Sequence, residues 1–198
     1  MELPYLVHFT HISNLEGILE DGLLSRDSVD KLEPSVRTND ESRHDNRTNT
    51  ISLSIAHPND LMFYKYRDVD ADWCLIIVDV SVLWKKDSLF CKYNAADARM
   101  SNLSDEHLST PDSLVSMFDE LDDVESRSDQ CLKKFDPTDK QAEILVFDKI
   151  APKYIEGVVF SNRQVKKEHK NILGDKKSAI HSPNKGLYAT RLYRRKWQ

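Results

Sequence analysis

A chain of 198 residues, 39% hydrophobic and 31% charged, is long enough to bury one core without disulfides or metals. No apolar run approaches the roughly 20 residues that cross a bilayer, and Met-Glu-Leu-Pro lacks the basic start and apolar stretch of a signal peptide, so no membrane partner and a cytoplasmic location are expected. The net charge of −5 is unevenly spread: from Ser161 onward eleven Lys/Arg face two acids, a local +9 that leaves −14 for the rest.

In chain order, Tyr5 to Thr10 reads as a short strand with His8 and Thr10 on one face. Ser13-Asn14-Leu15-Glu16 has the form of a capping box. Leu15, Ile18 and Leu19 follow at helical spacing, and Gly22 supplies a stop after about two turns. Ser25 to Asn49 is polar and reads as a loop. Ile51 to Ile55 alternates as a half-buried strand. Asp60 to Tyr66 predicts a short helix after a His57-Pro58-Asn59 turn. Trp73 to Val80 is the strongest strand, and its near-continuous apolar run suggests cover on both faces. Ser81 to Trp84 suggests a helical turn, and Leu89 to Tyr93 another strand.

The stretch from about Ser101 to Lys140 is acidic, with a weak helical face on Leu114, Val115, Met117, Phe118 and Leu121. So long a loop reads either as a substrate loop or lid, or as a mobile insertion. Ala142 to Phe147 and Ile155 to Phe160 predict strands, and a last strand is expected near Leu187 to Leu192. The basic segment, about 161–198, is either a polyanion-binding surface or a solvated tail. The whole reads as a single α+β domain over residues 1–198 with bent sheets.

Glu143 interrupts an apolar strand just where the polar stretch ends. A carboxylate there must be exposed or satisfied by partners. Gln141, two residues earlier, is expected on the same strand face, and such a pair can grip a sugar and stabilise an oxocarbenium-like transition state. His8 and Thr10 can hold an amide or hydroxyls. Arg43, or Arg47, suits a pyrophosphate through paired donors. Met62, Phe63, Tyr64 and Tyr66 can stack on a flat ring or pack in the core. There is no phosphate-binding glycine loop, no metal-type His/Cys spacing and no nucleophile elbow. The cysteines Cys74, Cys91 and Cys131 are odd in number, which fits reduced thiols.

As a set, several segments resemble the DarT family of toxins. They are His8-Phe9-Thr10-His11-Ile12-Ser13-Asn14-Leu15, Gly22-Leu23-Leu24-Ser25, Ile51-Ser52-Leu53-Ser54, Pro58-Asn59 with Met62-Phe63-Tyr64, Asn94-Ala95-Ala96, and Gln141-Ala142-Glu143-Ile144-Leu145-Val146. The resemblance implies an ADP-ribosyltransferase-like fold, two small, mostly antiparallel sheets around an NAD cleft with short helices. It implies transfer of ADP-ribose from NAD, without a metal, to a base in single-stranded DNA. RNA or a protein side chain is the alternative acceptor, and an inert NAD-binding module the alternative from another class. It implies Glu143 and Arg43 as catalytic, and His8, Thr10, Ser25, Ser54, Met62 and Tyr64 as NAD-binding. Gln141, Lys134, Lys140 and Arg47 would meet the nucleic acid. A toxin of this kind implies an antitoxin partner, either a macrodomain hydrolase or a protein that blocks the cleft.

Overall fold

The computed structural model describes residues 2–29, 47–67 and 73–198. Nine strands are present among them: β1 (Leu6–His11), β2 (Leu23–Leu24), β3 (Thr50–Ile55), β4 (Trp73–Val78), β5 (Ser88–Cys91), β6 (Glu143–Phe147), β7 (Lys149–Ile150), β8 (Ile155–Phe160) and β9 (Lys177–Ile180). The apolar run at Trp73 is explained by its place. β4 lies between β1 and β8, and its alternate side chains feed two different clusters. Cys74, Ile76 and Val78 join the main core, whereas Trp73 and Leu75 pack with Val7, Phe63, Val159 and Tyr188 on the other face. Burial pushes the Cys74 thiol up to about 12, so it is an inert core residue.

The fold is the expected α+β, with a main sheet and a small one. Seven strands run in one hydrogen-bonded order, β5-β6-β3-β1-β4-β8-β9, beside a two-stranded pair, β2-β7. All neighbours are antiparallel except β8 and β9, which are parallel. The two halves expected as separate sheets share β3, which pairs with β6 over four residues and with β1 over only two.

The helix Leu15–Asp21 forms as its spacing predicts. The capping box does not. Ser13 lies in a 3-10 turn, Ile12–Asn14, and its N–H donates to Nδ1 of His11 at 3.2 Å. The imidazole takes the acceptor role expected of Ser13 because the chain tightens immediately after β1. Gly22 ends the helix at φ 94°, and a Cβ there would stand 2.2 Å from the Ile150 carbonyl oxygen.

The acidic stretch is not an unstructured loop. It carries helices Ala98–Ser101, Asp105–Leu108 and Pro111–Ser116, capped by the side chains of Asp97, Ser104 and Thr110. Met100, Leu108 and Leu121 form a second small core with Leu89, Cys91 and Leu145 from β5 and β6. The basic end is also folded. The strand expected near Leu187 is instead a 3-10 turn, Gly186–Tyr188, followed by the helix Arg191–Trp197. Thr190 Oγ1 accepts from Tyr193 N at 3.2 Å, and this N-cap diverts the chain into a helix. Among the described residues no helix is long and apolar enough to cross a membrane.

Gly22→Ala is expected to destabilise the protein by about 1–3 kcal/mol, from left-handed backbone strain together with the clash at Ile150. Urea unfolding of the two proteins at pH 7 checks this; an unchanged midpoint contradicts the geometry.

Candidate active site

The site begins with an opening in the sheet. β1 pairs with β4 along its whole length, from Leu6↔Val78 to His11↔Trp73. On its other edge it pairs with β3 only at Leu6↔Ile55 and Val7↔Ser54. Beyond Val7 the two strands part. His8 Nδ1 lies 3.0 Å from the Ser52 carbonyl oxygen, so a proton on that nitrogen donates across the gap where the backbone ladder has stopped. Thr10 sits on the same face and is buried, its Oγ1 accepting from Asn14 Nδ2 at 3.0 Å.

Glu143 heads β6, on the far side of β3 from β1. The register Leu53↔Ile144 sets Glu143 level with Ser54, itself opposite Val7. Two strand spacings, about 10 Å, therefore separate the Glu143 and Val7 backbones. The Glu143 residue is 7% exposed. Its Oε2 accepts from Ala95 N at 3.1 Å, and its Oε1 from Asn59 Nδ2 at 3.4 Å. These donors replace water around a group whose burial is otherwise costly. A carboxylate so held can accept a sugar hydroxyl and stabilise positive charge at a neighbouring carbon.

Gln141 does not join it through strand alternation. It lies in the turn ahead of β6, where its N–H donates to Asp139 Oδ1 at 2.6 Å. The turn breaks the period-2 relation on which the shared face rested. A separate cleft of about 620 Å³, lined by residues such as Trp84, Lys86, Asp87, Glu106 and Phe147, contains none of these groups.

A family model described as ssDNA thymidine ADP-ribosyltransferase, DarT, matches residues 7–188. The chain belongs to the DarT family. Solved DarT structures resemble it over most of its length. The Thermosipho africanus DarTG structure in complex with ADP-ribose aligns with a TM-score of 0.66 at 16% identity, covering 96% of this chain and 51% of that one. This chain thus spans about half the length of that relative. The Thermus sp. 2.9 DarT structure in complex with ADP-ribosylated ssDNA aligns at 0.64 and 17% identity, covering 91% and 97% of the two chains. The same DarT in complex with NAD⁺ aligns at 0.59 and 16% identity, covering 91% and 96%. At such identities the likeness establishes the ADP-ribosyltransferase-like fold. No curated protein matches the chain.

The remaining residues that the DarT resemblance singled out are scattered in role. Ser54 is buried in β3 opposite Val7, beside the opening. Ser25 is buried after β2, with its Oγ 3.1 Å from that of Ser28. Met62 and Tyr64 lie on the helix Asp60–Arg67. Met62 Sδ accepts from Asn94 Nδ2 at 3.8 Å. Tyr64 donates to the Tyr188 carbonyl at 3.4 Å and is covered by the Arg67 guanidinium 3.9 Å from its ring centre. Arg47, read as a nucleic-acid contact, is buried instead: its Nε donates to Asp105 Oδ1 at 2.8 Å and its Nη2 to the Leu103 carbonyl at 2.7 Å. It therefore anchors the acidic stretch. Lys134 and Lys140 are exposed. Arg43 lies outside the described residues.

Sequence reasoning missed how the basic end meets the acidic stretch. Arg191 is 4% exposed. Its guanidinium donates to the carbonyls of Pro137 at 2.7 Å and Thr138 at 3.0 Å and to Gln130 Oε1 at 2.9 Å. Its backbone N–H donates to Asp60 Oδ2 at 2.9 Å. One turn later Arg195 grips Asp136 through two bonds of 2.6 Å. The C-terminal helix is thereby fastened both to the acidic stretch and to the helix beginning at Asp60. No sequence signal marked it, because an arginine in a basic segment normally reads as solvated.

Burial alone would raise the Asp136 carboxyl. The paired bonds from Arg195, the Lys133 N–H and the charges of Arg195 and Arg191 outweigh it and hold the group below the ordinary range. A depressed folded pKa means that the stabilisation is present above the unfolded value, about 4, and is lost as pH falls through the folded one. Asp136→Asn, which leaves Arg195 without its anion, should cost about 3–5 kcal/mol at pH 7. It should also flatten the loss of stability below pH about 4. Urea unfolding at pH 3, 5 and 7 checks both; parallel pH dependences in the two proteins would contradict this account.

Proposed function

We propose that this chain transfers ADP-ribose from NAD⁺ to thymine in single-stranded DNA and releases nicotinamide, with Glu143 as the catalytic carboxylate. The observation that carries the reading is the buried Glu143 side chain, held by the Ala95 N–H and the Asn59 amide, in a chain whose DarT match spans residues 7–188. The related DarT structures with NAD⁺ and with ADP-ribosylated ssDNA support both substrates.

The chemistry follows from charge. As the bond from the ribose anomeric carbon to the nicotinamide nitrogen breaks, positive charge grows on the sugar and nicotinamide leaves neutral. Glu143 accepts a hydrogen bond from a ribose hydroxyl and stabilises that charge where it develops. The ring N–H of thymine loses its proton as its nitrogen bonds to the anomeric carbon, and the same carboxylate is the natural acceptor. Holding sugar and base together supplies much of the rate. His8 and Thr10 would hold the nicotinamide ribose. Ser54, Ser25, Met62 and Tyr64 would line the rest of the NAD⁺ site, and Arg43 would assist catalysis beside Glu143. Lys134, Lys140 and Gln141 are the exposed or half-exposed groups that would face the DNA strand. No step requires a metal.

DNA modification of this kind would be harmful to the cell that makes the enzyme. An antitoxin is therefore the expected partner, and the longer DarTG relative supports a second function associated with this fold. The reaction is tested by incubating wild type and Glu143→Gln with NAD⁺ and separate thymine-containing DNA, RNA and protein. Mass spectrometry should find one ADP-ribose on the DNA base and one free nicotinamide per event. The variant should lose at least about 100-fold in rate. Label on RNA or protein only, or a fully active variant, would contradict the proposal.

A further inference from the structure

The carboxylate assigned to catalysis is held by a closed ring of contacts, and Asn59 is the residue through which the ring passes. Asn59 is 1% exposed. Its amide nitrogen donates to Glu143 Oε1, while its amide oxygen accepts from Met62 N at 3.3 Å and so caps the helix Asp60–Arg67. Met62 Sδ then accepts from Asn94, and the N–H of the next residue, Ala95, donates to Glu143 Oε2. The ring joins three separate segments: the turn after β3, the chain after β5 and the start of β6.

The turn delivering Asn59 is itself constrained. Ala56 follows β3 at φ 60°, and its N–H donates to the Tyr5 carbonyl at 3.1 Å. The His57 N–H then donates to the Ile55 carbonyl at 2.7 Å. A non-glycine residue in the left-handed region is strained, and here that conformation directs the chain so that residue 59 meets the carboxylate. An asparagine amide serves this purpose where an aspartate does not. One end donates to the carboxylate, the other accepts from the helix, and no second negative charge is added.

We infer that Asn59 is a positioning residue for the reaction: its amide fixes the orientation of the Glu143 carboxylate. The inference rests on the assignment of Glu143 above. Without the Asn59 donor one of the bonds that orient the carboxylate is lost. The orientation of a catalytic group affects turnover more than ground-state binding of NAD⁺.

Two substitutions separate this role from simple capping, since serine and aspartate both cap helices well. Nicotinamide release with a thymine-containing oligonucleotide is measured against pH for wild type, Asn59→Ser, Asn59→Asp and Glu143→Gln, with rates normalised to the folded fraction from circular dichroism. Asn59→Ser should lower kcat roughly 10–100-fold with KM for NAD⁺ nearly unchanged, the size seen when an outer-shell partner that orients a functional group is removed. In Asn59→Asp a second carboxylate faces Glu143, and like charges raise a carboxyl pKa. Activity requires the ionised form, so the acid limb of its kcat profile should move upward by about one pH unit or more.

A wild-type kcat in Asn59→Ser, or an acid limb in Asn59→Asp that coincides with wild type, overturns the inference. If Glu143→Gln is inactive in the same series, the catalytic assignment survives that failure. If Glu143→Gln is as active as wild type, or wild type releases no nicotinamide, both readings fall together.

Discussion

A carboxylate out of water must be solvated by protein or lose its charge. That requirement at Glu143 organises the centre of this molecule. β6 begins at the buried residue itself, so the carboxylate has no solvent-exposed strand end to retreat to. Its donors must come from neighbouring chain segments. Ala95 supplies a backbone N–H from beyond β5, and Asn59 supplies an amide from beyond β3. Both segments flank β6 in the sheet order. The β5–β6–β3 half of the sheet therefore frames one buried carboxylate.

The parting of β1 from β3 is the second structural condition. A continuous ladder would pair the backbone of β1 on both edges and leave no room for a ligand between the halves. Two pairs join them, after which His8 reaches across to Ser52 by its side chain. A short ladder keeps the halves in register and leaves polar backbone at the edge of the gap. Substrate amides and hydroxyls are the groups that would use it.

The charge imbalance in the chain is largely settled internally. Arg191 and Arg195 are taken up by the 130–139 segment, with Asp136 as the buried counter-ion. Farther along the acidic stretch, the exposed Arg99 pairs with Asp97 and Asp123. The basic end thus fastens the acidic stretch against the fold, and Lys134 and Lys140 stay exposed.

Much of this was legible locally. An acid at the head of Ala142–Phe147 stood out because strands seldom tolerate one, and Trp73–Val78 announced its central place by being apolar on both faces. Gly22 marked a helix end that only glycine fits. What escaped was non-local or too short to carry a period. β2 and β7 are two residues each, and the helices of the acidic stretch are four to six residues long. Such elements are defined by caps and tertiary contacts, not by amphipathic spacing. Asn59, read as a turn residue, became a ligand of Glu143 through a partner 84 positions away. Arg191 became a core residue through partners more than 50 positions away. Arg47 was misread for the same reason, since its partners lie 56 and 58 positions downstream.

The most direct test of the central claim is a crystal structure of the protein with a non-cleavable carba analogue of NAD⁺. This account predicts the nicotinamide ribose in the opening between β1 and β3, with a ribose hydroxyl within about 2.6–3.2 Å of the Glu143 carboxylate. A ligand bound elsewhere, or a Glu143 side chain turned away from the ribose, would contradict it.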